Sequence, residues 1–222
     1  MMVLKYKLVV FDVNGPLTDH HTIVDIGELA GVKEEVHGYI HQHTTGKMNL
    51  SNALMEACKL LEGVTHRQIE EYSWSVPLMG GIEEMTKTLT DNGVVLGMIT
   101  TGFKTTMDII NERLGKRFKY IICNELVFDG ANRATGGIRF SVMENESKAD
   151  RLRELAKKEG LFLHQCAAVG DSIGDVNMLD IAGLGIAFNP NEVLEEYAKA
   201  SQKVVIKKKD LREITPYVLG KP

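Results

Sequence analysis

Short, unbroken, β-branched runs alternate along this chain with amphipathic helical patterns, and that alternation limits the fold more than any other feature. Leu8-Val9-Val10-Phe11 offers no polar residue to water, as expected of a strand buried on both faces. Similar runs recur at residues 94–99, 120–123, 167–169, 184–187 and 204–206. Between them, Ile82, Met85 and Leu89 share one helix face, as do Met107, Ile110 and Leu114. Leu152, Leu155 and Ala156 repeat the pattern, and so do Val176, Leu179 and Ala182. Strand and helix in alternation predict an α/β fold of Rossmann-like type, a parallel sheet with helices on both faces. Such sheets bind ligands beyond the carboxyl ends of their strands.

The rhythm breaks once at length. From about Thr18 to Val76 no strand pattern is found, and amphipathic helices are expected at residues 23–29, 34–42, 50–61 and 66–72. A helical block placed directly after the first strand predicts a small cap, residues 18–77, over a core made of residues 1–17 and 78–222. Pro77 and the Gly80-Gly81 pair mark the return to the core. A second interruption, residues 127–130 and 137–140, reads as a hairpin flap.

Composition narrows the partners. With 222 residues and 44% apolar side chains the chain can bury a core and is too apolar for disorder. A formal net charge of -4 gives no electrostatic reason to bind nucleic acid, and the Lys207-Lys208-Lys209 run reads as a solvated edge. The apolar start ends at Asp12, too soon for a signal peptide or membrane span. Cys58, Cys123 and Cys166 are odd in number, widely spaced and set among apolar neighbours, as reduced thiols would be. The expectation is a cytoplasmic protein, monomer or homodimer, with neither nucleic acid nor membrane as partner.

Four local signals fall where such a sheet would place its site. Asp12 stands at the exit of the first strand, within Phe11-Asp12-Val13-Asn14-Gly15. Thr100, in Ile99-Thr100-Thr101-Gly102-Phe103, offers a hydroxyl and free N–H groups at an expected helix start, which suits either a phosphate or an ordinary N-cap. Lys148 opens another helix, where a cation opposes the dipole and so invites a reason. Gly170-Asp171-Ser172-Ile173-Gly174-Asp175 brings two carboxylates to one tight loop, where Asp171 could bind a hard cation and Asp175 could orient it. Away from these, Glu34, His37 and His41 share a helix face that reads as a polar outer surface or, less simply, a zinc chelate.

Taken in that order, Asp12, Thr100, Lys148 and the Asp171–Asp175 pair resemble the motif series of the haloacid dehalogenase superfamily, in its phosphoserine phosphatase branch. Asn124-Glu125-Leu126, Ala30-Gly31-Val32 and Gly46-Lys47-Met48-Asn49 extend the likeness over nearly the whole chain. The resemblance implies a Mg²⁺-dependent phosphatase of a small phosphorylated metabolite, with Asp12 as the nucleophile that becomes an aspartyl-phosphate. It implies Mg²⁺ held among Asp12, the carbonyl of Asn14, Asp171 and Asp175. Thr100 and Lys148 would be catalytic, with Val13, Thr101, Gly102 and His21 around the phosphate and substrate. Two departures qualify this. Asn14 stands where the family carries an acid–base aspartate, and Asn cannot exchange a proton at accessible pH. His21 and Ala57 stand where the family has a glutamate and an arginine for its substrate. Slow or altered turnover follows, and a phosphometabolite-binding protein without turnover, or a phosphotransferase, are the alternatives.

Overall fold

The computed structural model describes residues 4–143 and 145–220. Strand β1 (Leu8–Phe11) lies at the centre of a seven-stranded sheet, with β2 (Val95–Phe103) on one side and β5 (Cys166–Gly170) on the other, both parallel to it. Beyond β2 lies β3 (Phe118–Phe128), and beyond β5 lie β6 (Leu184–Phe188) and β7 (Val204–Ile206), again parallel. The edge strand β4 (Ala134–Arg139) pairs antiparallel with β3 and is the second arm of the expected hairpin. Because the chain leaves β1 for β2 and returns to β5 on the far side, the strand order reverses at β1. That reversal opens a crevice at the carboxyl ends of β1, β2 and β5.

Side-chain alternation divides the core into two layers. Val9 and Phe11 point to one face, packing with Met85 and Leu89 of α5 (Ile82–Asp91) and Met107 and Ile110 of α6 (Lys104–Arg113). Leu8 and Val10 point to the other, against Leu152 and Leu155 of α7 (Asn145–Lys158), Leu179 of α8 (Val176–Ile181) and Leu194 of α9 (Glu192–Ala200). All four β1 side chains are fully buried, as their unbroken apolar run requires.

Helices α1 (Thr22–Leu29), α2 (Lys33–Thr44), α3 (Leu50–Lys59) and α4 (His66–Ser75) intervene between β1 and β2. Their starts follow from local chemistry. Asn49 accepts a hydrogen bond from the Asn52 N–H, and Thr65 and Gln68 cap each other reciprocally. Ile26, Val36, Leu54, Leu61 and Ile69 form a separate cluster that also takes in Phe103 and Leu126 from the sheet ends. Where the chain enters and leaves this block, Thr18 and Leu78 bridge side by side, and Arg113 donates to the carbonyls of Ser73 and Val76. The shared face of Glu34, His37 and His41 is exposed, with the two imidazoles stacked 6.3 Å apart.

Three boundaries differ from the sequence expectation. Strand β2 does not stop at Ile99. Its register breaks over Thr100–Gly102 and pairing resumes at Phe103 with Asn124, so α6 starts only at Lys104. Thr100 is therefore not a helix N-cap; its Oγ1 accepts from the Gly102 N–H at 3.2 Å, closing a turn inside the strand. Strand β3 joins the run at 120–123 to the first hairpin arm, because Asn124 keeps the ladder intact through side-chain bonds. Lys148 is the fourth residue of α7 and not its opening one.

Candidate active site

Asp12 follows β1 immediately, with its N–H donated to the Val169 carbonyl of β5, so its place is fixed by the sheet. Its side chain is almost wholly buried. One carboxylate oxygen accepts from the Val13 N–H at 2.7 Å, and the other lies 3.0 Å from Nζ of Lys148. The same ammonium reaches Oδ1 of Asp175 at 2.7 Å. Asp171 completes the group: oxygens of Asp12, Asp171 and Asp175 all lie within 4.8 Å of one another. Residues far apart in the chain thus meet at the carboxyl ends of neighbouring strands.

The electrostatics of this group follow from burial. Desolvation raises the Asp12 pKa, the Lys148 charge opposes that rise, and Asp175 adds to it. Burial also pushes Asp171 up, helped by the charges of Asp12 and Asp175 and only partly offset by Lys148, to about 8. Burial works against the charge of Lys148, but the two carboxylates in contact with it prevail and its pKa is raised. Lys148 is therefore a firm cation, and Asp171 in the ion-free protein keeps its proton at neutral pH.

Two glycines let the carboxylates approach. A Cβ on Gly15, whose φ is +102°, would lie 2.3 Å from Cγ of Asp171. A Cβ on Gly170 would lie 2.4 Å from Cγ of Asp175. Asp175 is wholly buried, and its Oδ2 accepts from the N–H groups of Asp171 and Ser172, so it also shapes the loop that carries Asp171.

Other expected site residues fall as follows. Thr100 is fully buried at the end of β2, next to Thr101 and Gly102. The Val13 N–H is turned onto Asp12 itself, while its side chain is in the core. Asn14 is half-buried, and its Oδ1 accepts from the Thr22 N–H at 3.2 Å, tying the β1 loop to the start of α1. His21 is exposed and its side chain caps nothing; the residue that turns inward there is its neighbour Thr22. Ala57 is buried in the core of the helical block.

The sequence reading gave two residues no structural part. Asn124, fully buried, donates to the Thr101 carbonyl and accepts from the Ser141 and Val142 N–H groups. It thereby joins the Thr100 turn to the segment leading into α7. Its advance signals were an amide closing an apolar strand run and a place in the family-like Asn124-Glu125-Leu126 motif, neither of which showed this part. Thr22 gave none, since a threonine at a helix start is commonplace.

A buried carboxylate bridged to an ammonium, with two further carboxylates close enough to share a metal ion, lies at the switch point of a parallel sheet. Residues 6–183 match the haloacid dehalogenase-like hydrolase family, and the chain belongs to it. Within the family the chain falls in the phosphoserine phosphatase-like branch. It is 34% identical to phosphoserine phosphatase of Methanocaldococcus jannaschii, covering 98% of this chain and 100% of that protein. It is 33% identical to phosphoserine phosphatase of Archaeoglobus fulgidus over 88% of this chain, but spans only 56% of that protein. A solved phospho-aspartyl intermediate analogue of phosphoserine phosphatase superposes with a TM-score of 0.86 at 33% identity, covering 96% of this chain and 99% of that one.

Proposed function

We propose that this protein is a Mg²⁺-dependent phosphatase that hydrolyses a small phosphorylated metabolite through an aspartyl-phosphate on Asp12, slowly because Asn14 supplies no proton. The observation that carries the reading is the buried bridge of Lys148 between Asp12 and Asp175, with Asp171 beside them. The likeness to a phosphoserine phosphatase captured as a phospho-aspartyl analogue supports it.

The residues present fit a divalent ion. Three carboxylates face one ammonium, and burial together with neighbouring carboxylates lifts Asp12 and Asp171, a cost that a hard cation would relieve. We assign Asp12, Asp171 and the Asn14 carbonyl to Mg²⁺. Both oxygens of Asp175 are engaged, by Lys148 and by the loop N–H groups, so its part is to position Asp171 and Lys148. When bound, the ion would draw charge from the phosphate oxygens.

The chain's own residues carry the rest. An ionised Asp12 oxygen attacks phosphorus, and the ester oxygen leaves with the bonding electron pair. Lys148 and the Thr100 hydroxyl, with the Thr101 N–H and, once released from Thr100, the Gly102 N–H, hold the equatorial oxygens where charge spreads. Val13 can release its N–H from Asp12 to the phosphate. The departing alkoxide needs a proton that Asn14 cannot give, and the water that later attacks the acyl-phosphate needs a base that Asn14 cannot be. General acid–base groups contribute ~10²–10⁴-fold, which sets the expected deficit. Residues 18–77 act as the cap that excludes water. A cytoplasmic location, with Cys58, Cys123 and Cys166 as free thiols, belongs to the same reading.

The test is p-nitrophenyl phosphate with Mg²⁺, following phosphate release and acyl-phosphate on Asp12, with Asn14→Asp alongside. Slow release, a labelled Asp12 and a gain of ~10²–10⁴-fold in Asn14→Asp are expected. Fast turnover that Asn14→Asp does not improve would refute the part given to Asn14. No label and no release in either protein would refute the phosphatase reading. That result would favour a phosphometabolite-binding protein, a second reading supported by the engagement of the Asn14 amide with Thr22. A stable label without release would indicate a phosphotransferase.

A further inference from the structure

Thr22 begins α1 with its side chain fully buried. Among the described residues, its Oγ1 is the buried side-chain polar atom left without a hydrogen-bond partner. A hydroxyl sealed from water and unpaired is costly, and native proteins rarely retain one without a use. The residue is not loose, because its N–H is held by Oδ1 of Asn14 at 3.2 Å.

The hydroxyl lies close to the Thr100 turn. A Cβ built on Gly102 would lie 3.4 Å from Thr22 Oγ1 and 3.6 Å from Thr100 Oγ1. The two hydroxyls therefore lie beside the same glycine, one carried by the sheet and the other by the helical block, and Met107 Cε would lie 3.0 Å from the same Cβ. Thr100 belongs to the phosphate end in the reading above. A phosphoester seated at Asp12 and Lys148 and extending toward the block would present its alcohol portion to Thr22. The positive end of α1 at that point favours an electron-rich oxygen over an ammonium group.

We propose that Thr22 is a specificity-determining residue whose hydroxyl donates to an oxygen on the alcohol portion of the substrate, a hydroxyl or a carboxylate close to the ester. The site then prefers oxygenated small phosphoesters over plain alkyl phosphates. This rests on the phosphatase reading, and the experiment keeps the two apart by measuring binding instead of turnover. Calorimetry in Mg²⁺ would compare ethyl phosphate, 2-hydroxyethyl phosphate and 2-phosphoglycolate on the wild type, Thr22→Val and Thr22→Ser. The wild type should prefer the two oxygenated esters. In Thr22→Val, which keeps shape but loses the hydroxyl, that preference should shrink by roughly five- to a hundredfold, and Thr22→Ser should retain most of it. The melting temperature of ligand-free Thr22→Val should hold or rise, since an unpaired buried hydroxyl is replaced by a methyl group. An unchanged preference in Thr22→Val, or a marked fall in its melting temperature, would overturn the assignment. If the wild type binds none of the three esters, the phosphatase reading fails and this inference goes with it.

Discussion

Replacing Lys148 by Met tests the centre of the site through stability alone. The ammonium is buried, 3.0 Å from Asp12 and 2.7 Å from Asp175, and Met keeps its length without its charge. Breaking a buried pair by removing one partner costs ~3–5 kcal/mol, because the remaining charge is stranded in a poorly solvating interior. Here two carboxylates would be stranded, so the upper part of that range is expected. A chain of this size shifts by about 2–4 °C per kcal/mol, so ~4–5 kcal/mol should lower the melting temperature by roughly 8–20 °C at neutral pH. The deficit should depend on pH with a definite sign. Lys148 lowers the pKa of Asp12 and of Asp171, so its loss raises both further. A carboxyl with a raised folded-state pKa contributes stability that is present below its unfolded value and lost as pH rises through the folded one. The variant should therefore lie closest to the wild type at about pH 5 and furthest at about pH 8, with Mg²⁺ restoring part of the difference. Urea and thermal melts with and without Mg²⁺ measure this. Lys104→Met is the control: its pair with Asp108, 2.7 Å apart, is exposed, and its loss should cost only ~0.5 kcal/mol. Equal losses in the two variants, or a Lys148→Met deficit that grows on acidification, would refute the buried bridge.

Gly15→Ala should abolish Mg²⁺ binding or weaken it severely and destabilise the protein by ~1–3 kcal/mol, since the new Cβ meets the Asp171 carboxylate at 2.3 Å on backbone of positive φ; calorimetry with Mg²⁺ alone reads the first effect. In the ion-free wild type, the raised Asp171 pKa, about 8, predicts stability that declines from about pH 4 to about pH 8, by up to ~1.4 kcal/mol per pH unit. Because Mg²⁺ must displace that proton, its affinity should climb about tenfold per pH unit below pH 8, and a flat profile would contradict the protonated Asp171. Asn14→Asp should bind inorganic phosphate more weakly than the wild type while turning ester over faster, a split that equilibrium dialysis and initial rates can separate.

What the sequence revealed depended on how local the physics was. The strand at Leu8-Val9-Val10-Phe11 and the helix faces of Ile82, Met85 and Leu89 were legible because burial repeats with the period of the element itself. Helix starts at Leu50 and His66 were legible from the same periodicity, and the structure adds the caps Asn49 and Thr65, each bonded three residues on. The continuation of β2 to Phe103 was not, because the pairing of Phe103 with Asn124 crosses an irregular register that only the neighbouring strand defines. Asp12 and Asp171 could be placed by their position after apolar runs. The inward turn of Thr22 and the outward turn of His21 could not be read, since adjacent residues at a helix entry differ only in a direction that the packing of the block decides.

Asn14 links the join to α1, the charge of the site and its proton transfers. Its Oδ1 holds the Thr22 N–H, and an amide accepts that bond as a carboxylate would, so an Asp-to-Asn exchange leaves the join between the β1 loop and α1 standing. What the exchange changes is charge and proton traffic. With Asp171 deprotonated, three carboxylates against one buried ammonium leave a formal charge of -2, which one Mg²⁺ would balance. A fourth carboxylate at position 14 would set a like charge against an arriving phosphate dianion, and the amide does not. The amide also removes the group that would protonate a departing alkoxide. In the proposed mechanism such a site would bind phosphate but would slow both the loss of the alcohol and the hydrolysis of the acyl-phosphate, the two steps that need a proton moved.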